Sequence, residues 1–425
     1  MAERENKRIT KNGVAVYSYA NPSLHSFQIS LFVKAGCMYE DISECGITHF
    51  LEHTLIRNVN HLFDKKLYRM LDEYGLEFNA STFSEMVQFY VSGAVKNFTR
   101  GASVITALAK PITLGKDEID AERRRIKAEI RESDDSSSLA SFTNKTVFEG
   151  TSLAGSIVGT NKGVDGIGAK RLEAYRRRIF SSGNVFFYVT GGFSDSDLDS
   201  LCTFIEAQDF EDGEERHNVA PVPTSFFARE PEVYIKNDDF TMVRFTFDLD
   251  SRRVPVPVGD LLYDLLLTGY NSKIFIEMSE NRGYFYDTTG AVERYANVGT
   301  FYFTYEVKAA ELYDAIDLTV DILNSVKHPT DAEVNSQKAA YVDNAMMLYD
   351  DVRELNFTFA YDNHITGAGY SDIEARREAY AAVDAQAIGD AARELFRAEN
   401  LTLTLKGNKK KIDTELIKKS IRRLV

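Results

Sequence analysis

At 425 residues, 44% of them apolar, the chain is too long for one ordinary hydrophobic core and implies at least two domains. A formal charge of -14 excludes a general nucleic-acid binder, which needs clustered Lys and Arg, and no run of 18 apolar residues is present to span a membrane. Cys37, Cys45 and Cys202 are few and lack metal spacing, and residues 1–8 lack the apolar core of a signal peptide, so a reducing, cytoplasmic setting is expected.

Residues 14–20 read as a first strand. Phe27, Ile29, Leu31, Val33 and Ala35 then alternate with polar neighbours, the period of a half-buried antiparallel strand ending at Gly36. Next comes Gly46-Ile47-Thr48-His49-Phe50-Leu51-Glu52-His53-Thr54-Leu55. In a helix, His49 and His53 stand one turn apart on one face, separate from the apolar stripe of Ile47, Phe50, Leu51, Thr54 and Leu55. Two neutral imidazoles so spaced can hold a zinc ion, and Glu52 reaches the same side as a free carboxylate. The order H-x-x-E-H is the reversed zinc-peptidase pattern, in a chain with only 7 histidines. Cys45 reads as a neutral buried thiol rather than a ligand.

A helix over 65–74, stopped by Gly75, leads to strands at 78–83 and 87–93 joined by a Ser84-Glu85 turn. Helices over 98–108 and 116–133 follow, then a polar break at 134–138. The basic run Lys170, Arg171, Arg176, Arg177 and Arg178 reads as a solvated charged face before a closing strand at 185–190. An acidic, proline-bearing stretch at 209–223 marks the linker region. The expected organisation is an N-terminal domain 1–213, a linker 214–231 and a C-terminal domain 232–425.

The second half repeats the plan. Val243, Phe245, Phe247 and Leu249 alternate as Phe27, Ile29, Leu31 and Val33 do, 216 positions later, and residues 400–405 repeat 184–189 at the same offset. The fold class expected is therefore α+β, two homologous domains, each an antiparallel sheet packed with helices. The offset carries His49, Glu52 and His53 onto Leu265, Thr268 and Gly269, so the second copy keeps the architecture and loses the metal.

Catalytic zinc needs a further protein ligand. On the helix over 116–133, Ile119, Glu122, Ile126 and Glu129 share one face, and Arg123, Arg124, Arg125, Lys127 and Arg131 occupy most of the rest. Two carboxylates thus lie on the stripe that should face the core, where an unpaired charge is costly. Either a metal held by the histidines neutralises them, or arginines of their own helix do.

With these residues in view, the chain resembles the pitrilysin-type inverzincin peptidases, which include insulin-degrading enzyme, the mitochondrial processing peptidase and short bacterial relatives. Weaker matches run through Gly75-Leu76-Glu77-Phe78-Asn79-Ala80-Ser81-Thr82, Ile157-Val158-Gly159-Thr160 and Arg282-Gly283-Tyr284-Phe285-Tyr286. The resemblance implies Zn²⁺ held by His49, His53 and Glu129, with Glu52 and Glu122 as the catalytic carboxylates: Glu52 moving the proton, Glu122 orienting the site. It implies substrate contacts from Asn79 and Ala80 on an edge strand and from Tyr286. It also implies that the two domains form half of a clam-shell chamber closed by a second chain. One departure matters: relatives carry an arginine seven residues before the tyrosine, and here Ser279 stands there, with Arg282 at the wrong spacing. An intact metal motif beside an incomplete arginine–tyrosine pair favours a heterodimer with a related subunit over a homodimer. The function so implied is zinc-dependent endopeptidase, or the catalytic subunit of one, acting on peptides or unfolded segments. The competing readings are a non-catalytic assembly subunit and a metal-binding scaffold without turnover.

Overall fold

The computed structural model describes residues 4–132, 138–211, 213, 232–235, 239–295 and 298–424. The expected linker 214–231, and all but Ser138 of the polar break, lie outside the described residues. Packing divides the chain into two compact units that are not contiguous in sequence. The first comprises Met1–Asp134, Gly150–Ala220 and Met346–Ile373; the second comprises Asp135–Glu149, Pro221–Ala345 and Glu374–Val425.

The first unit is built on a six-stranded sheet of β1 (Asn6–Ile9), β2 (Ala15–Ala20), β3 (Ser26–Val33), β4 (Glu77–Thr82), β5 (Val87–Ala94) and β6 (Val185–Gly191), in the order β1-β2-β6-β3-β5-β4. Only β2 and β6 run parallel. The sequence reading had no signal for β1, whose Asn-Lys-Arg-Ile is mostly exposed and lacks alternation. Phe27, Ile29, Leu31 and Val33 enter a core with Val14, Val16, Phe89, Val91, Phe187 and Val189, which is covered by helices α1 (Ile47–Leu62), α2 (Leu67–Tyr74), α3 (Phe98–Thr106) and α4 (Lys116–Glu132). Gly75 ends α2 in the left-handed region at φ 59, as its position predicts. The basic run is not wholly solvated. Arg176 is buried, and its guanidinium donates to Ala109 O at 2.7 Å and to Glu173.

The expectation of a half-buried β3 needs correcting: the strand is buried on both faces. Its polar face, with Gln28 and Ser30, is covered by the helix Val352–His364, which arrives from late in the chain. Asn356 donates to Tyr188 O at 3.0 Å, Gln88 donates to Ser30 Oγ at 3.1 Å, and the Thr190 hydroxyl donates to Val352 O at 2.6 Å. These bonds offset part of the cost of burying polar groups there, although Gln28 Oε1 and Asn356 Oδ1 have no partner among the described residues.

The second unit repeats this topology with β7 (Glu232–Ile235), β8 (Phe240–Leu249), β9 (Thr289–Arg294), β10 (Gly299–Lys308) and β11 (Leu401–Gly407), in the order β7-β11-β8-β10-β9. Again only the β7–β11 pair is parallel. Strand for strand this is the order β2-β6-β3-β5-β4. Strands β6 and β11 begin and end 216 positions apart. The second core gathers Val243, Phe245, Phe247, Phe301, Phe303, Leu401 and Leu403. Helix α5 (Leu139–Val147) belongs to this unit, its Thr143 hydroxyl 2.5 Å from that of Thr404. The same 216-residue step carries α5 into Val352–His364. Each sequence repeat therefore contributes one equivalent helix to the unit built on the other repeat's strands.

Candidate metal and catalytic site

Helix α1 begins at Gly46, φ 87, and its first amides are satisfied by a carboxylate from the preceding loop. Glu40 accepts from Gly46 N–H and Thr48 N–H, both at 2.9 Å. Gly159 crosses this helix start. A Cβ on Gly159 would stand 2.8 Å from Gly46 Cα, and one on Gly46 would stand 2.7 Å from Gly159 Cα. The Ile157–Thr160 match in the sequence thus has a local cause: backbone passes backbone where the histidine helix starts.

From α1, Ile47, Phe50, Leu51 and Leu55 enter the core, which turns His49, Glu52 and His53 toward α4 and β4. Glu129 on α4 meets both imidazoles, its Oε2 being 3.5 Å from His49 Nε2 and 3.5 Å from His53 Nε2. Among the described residues these three form the only group whose ligating atoms could share a metal ion, all within 4.8 Å of one another. Donors about 2.0–2.1 Å from a tetrahedral zinc stand about 3.3 Å apart, so the observed spacing fits such an ion.

Two turns earlier on α4, Glu122 is buried and lies outside the three-residue metal group. Its Oε2 lies 3.3 Å from His53 Nδ1, and its Oε1 accepts from Arg57 Nε and, at 3.4 Å, from Arg125. A proton on His53 Nδ1 donates to this carboxylate and leaves the Nε2 lone pair aimed at Glu129. Of the two α4 carboxylates, Glu122 therefore pairs with Arg57 of α1 and with Arg125 of its own helix, and Glu129 faces the histidines. Burial opposes the Glu122 charge, yet the bonds from His53 and Arg57 hold its carboxyl below the usual range. For His53, burial pulls downward, but the Glu122 bond and the charges of Glu129 and Glu52 raise it. His49 has no such support. Burial and the neighbouring His53 push it down to about 4, so it is neutral at pH 7, and its buried Nδ1 has no hydrogen-bond partner among the described residues.

Glu52 is buried, and the Thr82 hydroxyl at the end of edge strand β4 donates to its Oε2 at 2.5 Å. Burial raises the Glu52 pKa against that bond. Asn79 is exposed on β4 and Ala80 half-buried, on a strand that among the described residues pairs only with β5. Cys45 is not in the metal group; its thiol faces Ser156 O, and burial raises it to about 11. Tyr286, in the second unit, is 96% exposed, and the Ser279 hydroxyl is spent on Phe285 O at 2.8 Å. The sequence gives no role to the side chains of Thr82 or Arg57: Thr82 stands four residues after Phe78 on the edge strand and Arg57 one turn beyond His53, and neither signals its partner without the fold.

This duplicated α+β fold, with a histidine pair and a glutamate converging beside a free carboxylate, defines a class of metallopeptidase-like proteins. The chain belongs to the M16 peptidase family: residues 15–161 match the insulinase (peptidase family M16) model and residues 166–341 the model of the M16 inactive domain. It is 23% identical over 351 residues to a protein named an uncharacterized zinc protease from Rickettsia felis, covering 80% of this chain and 81% of that one. It is 25% identical to the rat mitochondrial-processing peptidase subunit beta, covering 46% of this chain and 40% of that one, so the chain spans under half of that relative. A protease from Helicobacter pylori shares the fold, with a TM-score of 0.82 at 16% identity, covering 95% of this chain and 99% of that one. No helix among the described residues is long and apolar enough to cross a membrane.

Proposed function

We propose that the chain is a zinc-dependent endopeptidase, or the catalytic subunit of one, that hydrolyses peptides or unfolded segments. The observation carrying this reading is the meeting of His49 Nε2, His53 Nε2 and Glu129 Oε2 beside Glu52. His49, His53 and Glu129 would hold the ion, and Glu122 with Arg57 would fix the His53 ring. Bound zinc would supply Lewis acidity to a water and to the peptide carbonyl. Glu52 would take a proton from a water at this site and return it to the leaving amine. Thr82 fixes one Glu52 oxygen, and the other has no hydrogen-bond partner among the described residues. An extended substrate would pair with the open edge of β4 near Asn79 and Ala80.

The reading extends to a second, related subunit that supplies the arginine–tyrosine contact which Ser279 and Tyr286 leave incomplete. The test is to measure zinc per chain, then cleavage of internally quenched peptides with and without chelator, alone and with the partner. Stoichiometric zinc and chelator-sensitive cleavage are expected, low for the isolated chain and restored by the partner. Cleavage unaffected by chelation would sink the reading.

A further inference from the structure

Charge is spread unevenly along the chain. Residues 406–425 hold eight Lys and Arg against two acids, a net of +6, so the other 405 residues must carry -20 to give the formal total of -14. The basic residues belong to the second unit, where the turn Lys409–Lys411 leads into the helix Thr414–Ile421. Ile417 and Leu424 anchor this segment in the second core. Tyr313, on the helix Leu312–Ser325, pins the junction: its hydroxyl accepts from Asp413 N–H at 2.7 Å and donates to Lys411 O at 3.4 Å. The outer face of Thr414–Ile421 carries Leu416 and Lys419, and Arg422 follows at the same step of three; all are exposed. Which charges are already used decides what this face can bind. Arg423 is held by Asp317 and Asp321, and Lys418 pairs with Glu415. Asp413 caps the helix, accepting from the Glu415 and Leu416 amides, and Glu311 faces Lys308 at 3.8 Å. On the two helices this leaves one uncommitted acid, Asp314. Against it stand five exposed cations without a partner among the described residues: Lys409, Lys410, Lys411, Lys419 and Arg422.

We propose that this face docks the protein peripherally on an anionic phospholipid surface. Four of the five uncommitted cations are lysines, mobile point charges that suit a fluid layer of headgroups, whereas a fixed carboxylate partner favours the arginine fork. Leu416, 47% exposed, stands among them as apolar surface able to enter the headgroup layer. At physiological ionic strength only charges within about 10 Å of the lipid are felt, so the acidic remainder of the chain does not cancel the patch when this face is turned to the surface.

The experiment is co-sedimentation of the full chain with phosphatidylcholine vesicles and with vesicles in which a third of the lipid is phosphatidylserine. Binding to the second kind alone, weakened by added salt, is expected. Lys409→Gln, Lys410→Gln and Lys411→Gln combined should weaken it about 100-fold, at about fivefold per lysine, and Leu416→Ser by a smaller factor. Lys162→Gln with Lys170→Gln, at exposed positions in the first unit, should leave it nearly unchanged. Thermal unfolding checks that each variant keeps its fold, and the readout involves neither zinc nor cleavage, so it stands apart from the peptidase reading. No binding, equal binding to both vesicles, undiminished binding by the lysine-turn variant, or an equal loss from the Lys162 and Lys170 pair would overturn the proposal. So would a dimer, seen by sedimentation velocity without lipid, that the lysine-turn substitutions dissolve: the face would then belong to a second copy of the acidic chain.

Discussion

The two units share a sheet order strand for strand, yet the helix that follows the central strand has opposite chemistry in each. In the first unit α1 starts 13 residues after β3 ends, and its polar turn presents two imidazoles and a carboxylate to Glu129. In the second, Val256–Leu267 starts after only six residues, so the 216-residue offset that aligns the strands does not hold across this helix. Val258, Leu261, Leu262, Leu265 and Leu266 are core there. Its polar positions, Asp260 and Asp264, are also one turn apart. Tyr380 donates to Asp260 Oδ2 at 2.6 Å, Tyr341 bonds Asp264, and the two phenol rings stack at 4.1 Å. Burial raises both aspartates. The lesson concerns satisfaction. The second unit closes its buried acids with internal donors, whereas the first turns two ring nitrogens and a carboxylate oxygen toward one point that suits a cation.

The sharpest way to break this contrast is to remove its active elements one by one. His53→Ala should abolish zinc binding, and with it all cleavage. Glu52→Gln should keep the zinc and lower turnover by about 10²–10⁴-fold, the range of general acid–base catalysis. Zinc content by atomic absorption alongside peptide turnover checks both. Full turnover by Glu52→Gln would remove that residue from the proton-transfer role. Next in size, Glu122→Gln keeps the shape but weakens the grip on His53 Nδ1, with an expected loss of about 10–100-fold in zinc affinity or activity. Asp260→Asn, in the other unit, should leave zinc affinity unchanged.

Much of this was legible in the sequence, because the signals were local. The alternation of Phe27 to Val33 and of Val243 to Leu249, the H-x-x-E-H turn and the Gly75 stop each depend on near neighbours only. Glu129 was legible as a carboxylate on an apolar stripe, an expensive placement that demands a partner. What the pattern could not convey was long-range. The exchange of α5 and Val352–His364 buries a strand face that reads as solvated. The Thr82–Glu52 bond joins residues 30 apart. The Arg57–Glu122 pair joins residues 65 apart. None of these leaves a mark on periodicity.

A pair of glycines sharpens the comparison at the level of stability. Gly159 and Gly269 share a φ of 77, but a Cβ at Gly159 would meet the Gly46 and Cys45 backbones below 3 Å, whereas one at Gly269 meets nothing within 4 Å. Gly269→Ala should cost about 1–2 kcal/mol, the left-handed penalty alone. Gly159→Ala adds overpacking of about 1–3 kcal/mol and should also loosen zinc, since it displaces the start of α1. Thermal unfolding and zinc titration of the two variants check this; equal effects would show that the approach of Gly159 to Gly46 does not position the histidines.

The smallest expected effect lies in the second unit and depends on pH. Glu333 closes a capping box with Thr330 and bonds Lys273, and although burial opposes its charge, these partners hold its carboxyl down to about 2, from an ordinary 4.5. A folded pKa below the unfolded one stabilises the fold fully above about 4.5, and that contribution is lost as pH falls through about 2. With over a third of the side chain in solvent, screening reduces it to about 1 kcal/mol or less. Glu333→Gln should therefore lower urea stability slightly at pH 7, and by progressively less as pH drops below 4.5, without altering zinc affinity at any pH where the fold is intact. A change in zinc binding on this substitution would mean that the two units are energetically coupled rather than separate solutions of one fold.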